Sequence, residues 1–183
     1  MIQDPSADFL ITARKRLRYY KSLGESTFAQ LEENAILYSP GPESNSIAVI
    51  VQHLSGNMLS RWTNFLTEDG EKSWRERDAE FEVHSMGKQE MLELWEKGWS
   101  CFFDTLDQLK PEDLTRVVTI RGESLTVTDA INRQLAHYPY HIGQIVYLGR
   151  MIAGEAWKSL SIPKGGSAAY NSSTEVKDPA KKH

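Results

Sequence analysis

Apolar side chains return at helical spacing in four separate stretches of the chain, divided by polar or breaker-rich segments. In the first, Leu10, Ala13, Leu17, Tyr20, Phe28 and Leu31 fall on one stripe, with Arg14, Lys15, Arg16, Arg18 and Lys21 beside it. This predicts an amphipathic helix from about Ser6, interrupted at Gly24. The breaker run SPGPESN follows, and a second helix is expected from near Ser46 through SIAVIVQHLSGNMLSRWTNFL, with Ile47, Ile50, Leu54, Met58 and Phe65 on its apolar side. A charged loop, TEDGEKSWRERDAEFEVHSMG, leads to a third, carrying Met91, Leu94, Trp95, Phe102, Leu106 and Leu109 in register and ended by Pro111.

Two β-prone runs, TRVVTI and SLTV, then flank RGE, which predicts a small β-hairpin or an extended crossover before the last helix. That helix has a start signal in Thr126 and Asp129, a capping-box pair, and is expected to run to about Ala153. Ile131, Leu135, Ile142 and Ile145 make its core face; Gln134, His137, His141, Gln144 and Leu148 make the neighbouring stripe. The expected fold is therefore all-α apart from the small β element. Residues 1–160 are read as one domain, and residues 161–183, rich in Gly, Ser, Lys and Pro, as a partly disordered tail.

Composition narrows the function classes. A chain of 183 residues that is 40% hydrophobic buries one core. A formal net charge of -4 gives no overall attraction to nucleic acid or anionic lipid, and RKRLR at 14–18 spreads its charge over an exposed helix face. No window approaches the roughly 20 apolar residues of a membrane span. The beginning, MIQDPSADF, is polar and acidic, so the expectation is a cytoplasmic protein with neither nucleic acid nor membrane as partner. Cys101 is the single cysteine, which rules out an internal disulfide; WSCFF reads as packing.

The candidate chemistry lies in LAHYPYHIGQ at 135–144. His137 and His141, four apart, share one helix face, which suits a metal ion; the same spacing also fits a half-buried pair bonded to backbone or water. A third histidine shifts the balance. His53 sits midway along the second helix at the border of its apolar face, where it can look across the interior at the last helix, whereas His84 and His183 read as solvated. Three imidazoles from two helices leave coordination positions open for water or substrate. Asn57 and Gln144, each one turn from a ligand, are candidates to hydrogen-bond a metal-bound group. Of the tryptophans Trp62, Trp74, Trp95, Trp99 and Trp157, most read as packing; Trp74 and Phe81 of the charged loop are the pocket candidates. Pro139 lies between the paired histidines and removes one helical hydrogen bond, so the helix is expected to bend or open there, either as a device that sets the imidazole angle or as a tolerated kink.

QHLSGNMLSRW at 52–62, DGEKSWRERDAEFE at 69–82 and HYPYHIGQIVYLGRM at 137–151 resemble the DinB-like superfamily, in a branch of small bacterial proteins without established activity. The resemblance covers the chain to about Tyr170. It implies a four-helix bundle, often dimeric, holding one divalent metal ion through the positions matched here by His53, His137 and His141. The expected homodimer would close over apolar positions left on the first and third helices. Superfamily members of known activity include metal-dependent transferases of low-molecular-weight thiols such as bacillithiol and mycothiol.

What the metal would do is read from what accompanies it. Tyr138, Pro139 and Tyr140 stand between the paired histidines, so the glutamate of H-E-x-x-H is absent and the helix brings no general base. A hydrolase would need Asp78, Glu80 or Glu82 to fold over the site from the charged loop. A metal deprotonates a coordinated thiol without a protein base. Transfer of a low-molecular-weight thiol onto an electrophilic small-molecule substrate therefore ranks first, metal-dependent hydrolysis second, and a non-catalytic metal-binding or stress-associated protein third. Neutral imidazoles suit Zn or Ni best and also admit Fe, Co and Mn.

Overall fold

Helix α1 (Pro5–Phe28) begins where the Asp4 carboxylate accepts the Ser6 amide at 3.0 Å and Pro5 occupies the first turn. The computed structural model describes residues 4–82 and 85–183; the expectation of a solvated His84 falls outside them. Gly24 does not interrupt α1. A Cβ at Gly24 would lie 2.6 Å from the Trp95 ring, so the glycine marks a close approach to the third helix rather than a break.

Ser46 caps α2 (Ile47–Trp62) by accepting the Val49 amide at 3.3 Å. The helix stops three residues short of Phe65, because the chain turns through Asn64 at φ 52°. Phe65 still reaches the core from the turn. After the charged loop, α3 (Lys88–Gln108) presents Met91, Trp95, Trp99, Phe102 and Leu106 inward. A two-residue turn then closes an antiparallel hairpin of β1 (Val117–Ile120) and β2 (Glu123–Thr126), in which Val117 faces Thr126 and Ile120 faces Glu123. Arg121 and Gly122 take φ 57° and 75°, the positive values that such a turn requires. The β element is thus a hairpin rather than an extended crossover.

Thr126 Oγ1 accepts the Asp129 amide at 3.1 Å and starts α4 (Val127–Ala153), which ends at Gly154 with φ 54°. The helix runs through Pro139 unbroken, so of the expected bend or opening the opening does not occur. Gln134, Tyr138 and Ile142 stay buried on one face across the proline, so packing on both sides holds the helical path despite the missing amide.

The chain is mostly helical, and one hydrophobic core joins the four long helices. The most extensive packing is α2 against α3 and α1 against α4, with α2 also touching α4. That α2 and α4 contact is what brings His53 to His137 and His141. Beyond residue 160 the chain forms α5 (Ser167–Ser172) and a final 3-10 turn laid against α1, where Ala180 is buried and Asp178 accepts from Lys15 and Arg16. No helix among the described residues is long and apolar enough to cross a membrane.

Apolar surface is not left over where the sequence pattern placed it. Among the described residues, α1 exposes one large hydrophobic side chain, Ile11, and α3 exposes none. The surplus lies on α4, where Tyr140, Tyr147 and Met151 stand in solvent.

Candidate metal centre

His53 lies inside α2, and His137 and His141 lie one turn apart on α4. Their Nε2 atoms converge: His53 to His137 is 3.4 Å and His137 to His141 is 3.1 Å. One ring nitrogen from each of the three residues falls within 4.8 Å of the others, close enough for a single ion.

The opposite ring edges explain why the Nε2 atoms are acceptors. His53 Nδ1 is 3.0 Å from Glu80 Oε2, His141 Nδ1 is 2.8 Å from Gln144 Oε1, and His137 Nδ1 is 3.4 Å from Gln134 Oε1. Carboxylate and amide oxygens accept hydrogen bonds, so each Nδ1 carries the proton and each Nε2 keeps a lone pair. Burial, and then the neighbouring imidazoles, push the His137 pKa down to about 3. Burial also lowers His141. The arrangement is three imidazoles with their Nε2 atoms directed at one point, which repel one another unless a cation or proton lies between them.

Glu80 is the residue that organises His53. Of Asp78, Glu80 and Glu82 in the charged loop, Glu80 alone is buried. It sits in a short 3-10 turn (Asp78–Phe81) packed on α2, and Arg75 donates to both its oxygens, at 2.7 and 2.8 Å. Burial by itself would raise the Glu80 carboxyl; the hydrogen bonds from Arg75 and His53 outweigh it and hold the pKa below the ordinary glutamate value. Space for this carboxylate comes from Gly56, since a Cβ there would collide with Glu80 Oε1. The sequence pattern marks Glu80 as one of three loop acids but does not mark its partner Arg75. The signal it does contain is a glycine within α2, one turn after His53.

The site opens into a cavity of about 420 Å³ lined by the three histidines together with Asn57, Gln134, Tyr140, Phe81 and five arginines. Phe81 lines this cavity and packs beside His53 with ring centroids 5.0 Å apart. Trp74, the other pocket candidate, is 56% exposed and lies outside the lining. Asn57 lines the cavity, and its Oδ1 accepts from the Tyr138 hydroxyl at 3.3 Å, which in turn accepts from Trp62 Nε1 at 3.0 Å. This chain of bonds ties α4, next to His137, to α2, one turn from His53. Gln144 lies behind His141 and holds its Nδ1 rather than facing the cavity. His183 is remote from the triad, with Nε2 3.3 Å from Ser22 Oγ.

Fold and site together define a mostly helical protein with a three-histidine centre able to hold a metal ion. Residues 4–166 match the family described as "Protein of unknown function (DUF1572)", and the chain belongs to that family. No curated protein and no solved structure matches it.

Proposed function

We propose that the protein is a divalent-metal-dependent transferase that moves a low-molecular-weight thiol onto an electrophilic small-molecule substrate. The observation that carries the metal is the convergence of three Nε2 lone pairs whose Nδ1 protons are already engaged by Glu80, Gln134 and Gln144. Zinc or nickel suits these donors best. A divalent ion held by His53, His137 and His141 would favour the thiolate form of a bound thiol at neutral pH.

The choice of thiol transfer over hydrolysis rests on the cavity wall. Among the described residues the lining contains no carboxylate, so nothing there serves as a general base for water. Glu80 faces Nδ1 of His53 and is committed to Arg75. In the reaction the thiolate sulfur bonds to the electrophilic carbon, the leaving group departs with the bonding pair, and the thiol proton passes to solvent. Asn57 and Tyr140, both in the lining, would hydrogen-bond the bound molecules, and Phe81 packs on the His53 side of the site.

The packing of α1 to α4 around one core supports reading the fold as the DinB-like four-helix bundle that the sequence motifs resemble. The exposed aromatic stripe of α4 supports a homodimer closed through that helix.

The test is cobalt substitution. A sulfur-to-metal charge-transfer band that appears on adding a biological thiol at neutral pH, and that is absent in His53→Ala, supports the proposal. Metal-dependent cleavage of simple esters with no thiol response would replace it with hydrolysis, and metal binding with neither activity would leave a binding protein.

A further inference from the structure

The cavity beside the three histidines is walled by Arg61, Arg75, Arg77, Arg121 and Arg133, a concentration of positive charge on a chain whose net charge is -4. Three of these are accounted for within the protein. Arg61 and Arg121 both donate to Glu71, each at 3.0 Å, and Arg75 holds Glu80. Arg77 and Arg133 have no carboxylate partner among the described residues. Arg133 stands one turn before His137 on α4, so it and the metal-site imidazoles share one helix face. Arg77 immediately precedes the turn that delivers Glu80 and Phe81, with its guanidinium carbon 5.4 Å from the Phe81 ring centroid. A third donor is also unspent: Arg75, whose side chain is 2% exposed, has a buried Nη1 without a hydrogen-bond partner. An orphaned buried donor is costly, and arginines are the residues of choice for planar oxyanions.

We infer that the molecule handled at this site carries an oxyanion, a carboxylate or a phosphate, which Arg77 and Arg133 receive in the cavity beside the histidines. A volume of about 420 Å³ suits a small metabolite. Two arginines from separate segments, one on α4 and one on the loop after α2, would hold the anionic end and leave the reactive end at the Nε2 atoms. Calling that molecule a substrate rests on the transferase reading above; the anion site itself does not.

The test is therefore made on metal-free protein at constant ionic strength, by calorimetric titration with inorganic phosphate and with succinate, using succinamide as the neutral control. Saturable binding of either anion, no binding of succinamide, and an affinity reduced about tenfold or more by both Arg77→Gln and Arg133→Gln are expected. Arg150→Gln, on an exposed part of α4 away from the cavity, should leave affinity unchanged. The preference between phosphate and succinate identifies the anion. No saturable binding of either probe, or binding indifferent to both arginine substitutions, overturns the inference. Both arginines are exposed, so the variants should melt with the parent. A failed thiol response in the cobalt protein would leave this result standing, and a failed anion titration would leave the cobalt result untouched.

Discussion

His53 Nδ1 and Glu80 Oε2 lie 3.0 Å apart, joining the middle of α2 to a loop residue 27 positions later. The contact fixes which edge of the imidazole faces the cavity. It also explains why a carboxylate so near the centre is not a free base, since Arg75 occupies both of its oxygens. Glu80→Gln keeps an acceptor for the Nδ1 proton but leaves the buried Arg75 without a counter-charge. We expect metal affinity to fall about 10- to 100-fold, as is usual when the partner of a ligating histidine is lost. Competition with a chromogenic chelator measures it, and unchanged affinity in both Glu80→Gln and Glu80→Ala would remove Glu80 from the site.

His137→Ala should lose stoichiometric metal altogether, because His137 Nε2 is the atom both other histidines approach. Ligand binding to the native state alone stabilises by about 2.7 kcal/mol at a hundredfold excess over Kd. The metal-loaded parent should therefore melt several degrees above its metal-free form, and the variant should show no metal-dependent shift. Full metal content in each of the three single histidine variants would sink the proposed ligand set.

Much of this centre is legible in the amino-acid sequence. The i, i+4 pair in α4 and the single histidine of α2 stand out because ligands on one helix face keep helical spacing, and the caps at Ser46 and Thr126 fix where those helices begin. The Arg75 and Glu80 pair does not stand out. It lies in a run of alternating charges, WRERDAEFE, where nothing in the local pattern marks which side chain turns inward. Gly24 is ambiguous for a related reason: a glycine in a helical pattern has the look of a break, and only the ring of Trp95, on a different helix, shows it to be a contact point.

Two of the close-approach glycines, Gly24 and Gly56, can be tested together. Alanine is favoured over glycine in a helix by roughly 1 kcal/mol, so an unhindered site would gain stability. At Gly24 the added carbon meets the buried Trp95 ring at 2.6 Å, and at Gly56 it meets Glu80. Overpacking costs about 1–3 kcal/mol and should win at both positions. Thermal melts should show Gly24→Ala and Gly56→Ala destabilised, with only Gly56→Ala also weakening metal binding. An increase in melting temperature for either contradicts the packing described.

Asp69 predicts a pH dependence away from the metal. Its carboxylate accepts the amides of Glu71, Arg121 and Gly122 at 2.7, 2.8 and 2.8 Å, pinning the loop after α2 to the hairpin turn. The Glu71 amide first, then that of Gly122, hold its pKa well below the ordinary value of 3.8. A depressed folded-state pKa stabilises fully above the unfolded value and loses that stabilisation as the pH falls through the folded one. The stability gap between the parent and Asp69→Asn should be largest above about pH 5 and narrow progressively below about pH 4. Denaturant midpoints at stepped pH measure this, and a gap that widens on acidification reverses the assignment.

The final prediction concerns assembly. Tyr140, Tyr147 and Met151 fall along one side of α4, and Tyr147 is 70% exposed, an arrangement an isolated helix face gains by covering. Pairing two copies across α4 is isologous, so a single substitution strikes the interface twice. Tyr147→Arg places like charges opposite each other near the two-fold axis and should convert a dimer to a monomer in multi-angle light scattering at micromolar concentration. Tyr147 lies outside the metal-site cavity, so metal content should be unchanged. Tyr140 is different: it lines the cavity and stands on the exposed stripe, so Tyr140→Ala should alter both association and ligand affinity if α4 is the interface. A parent that is monomeric under these conditions, or a Tyr147→Arg variant that remains dimeric, would exclude α4 as the pairing surface.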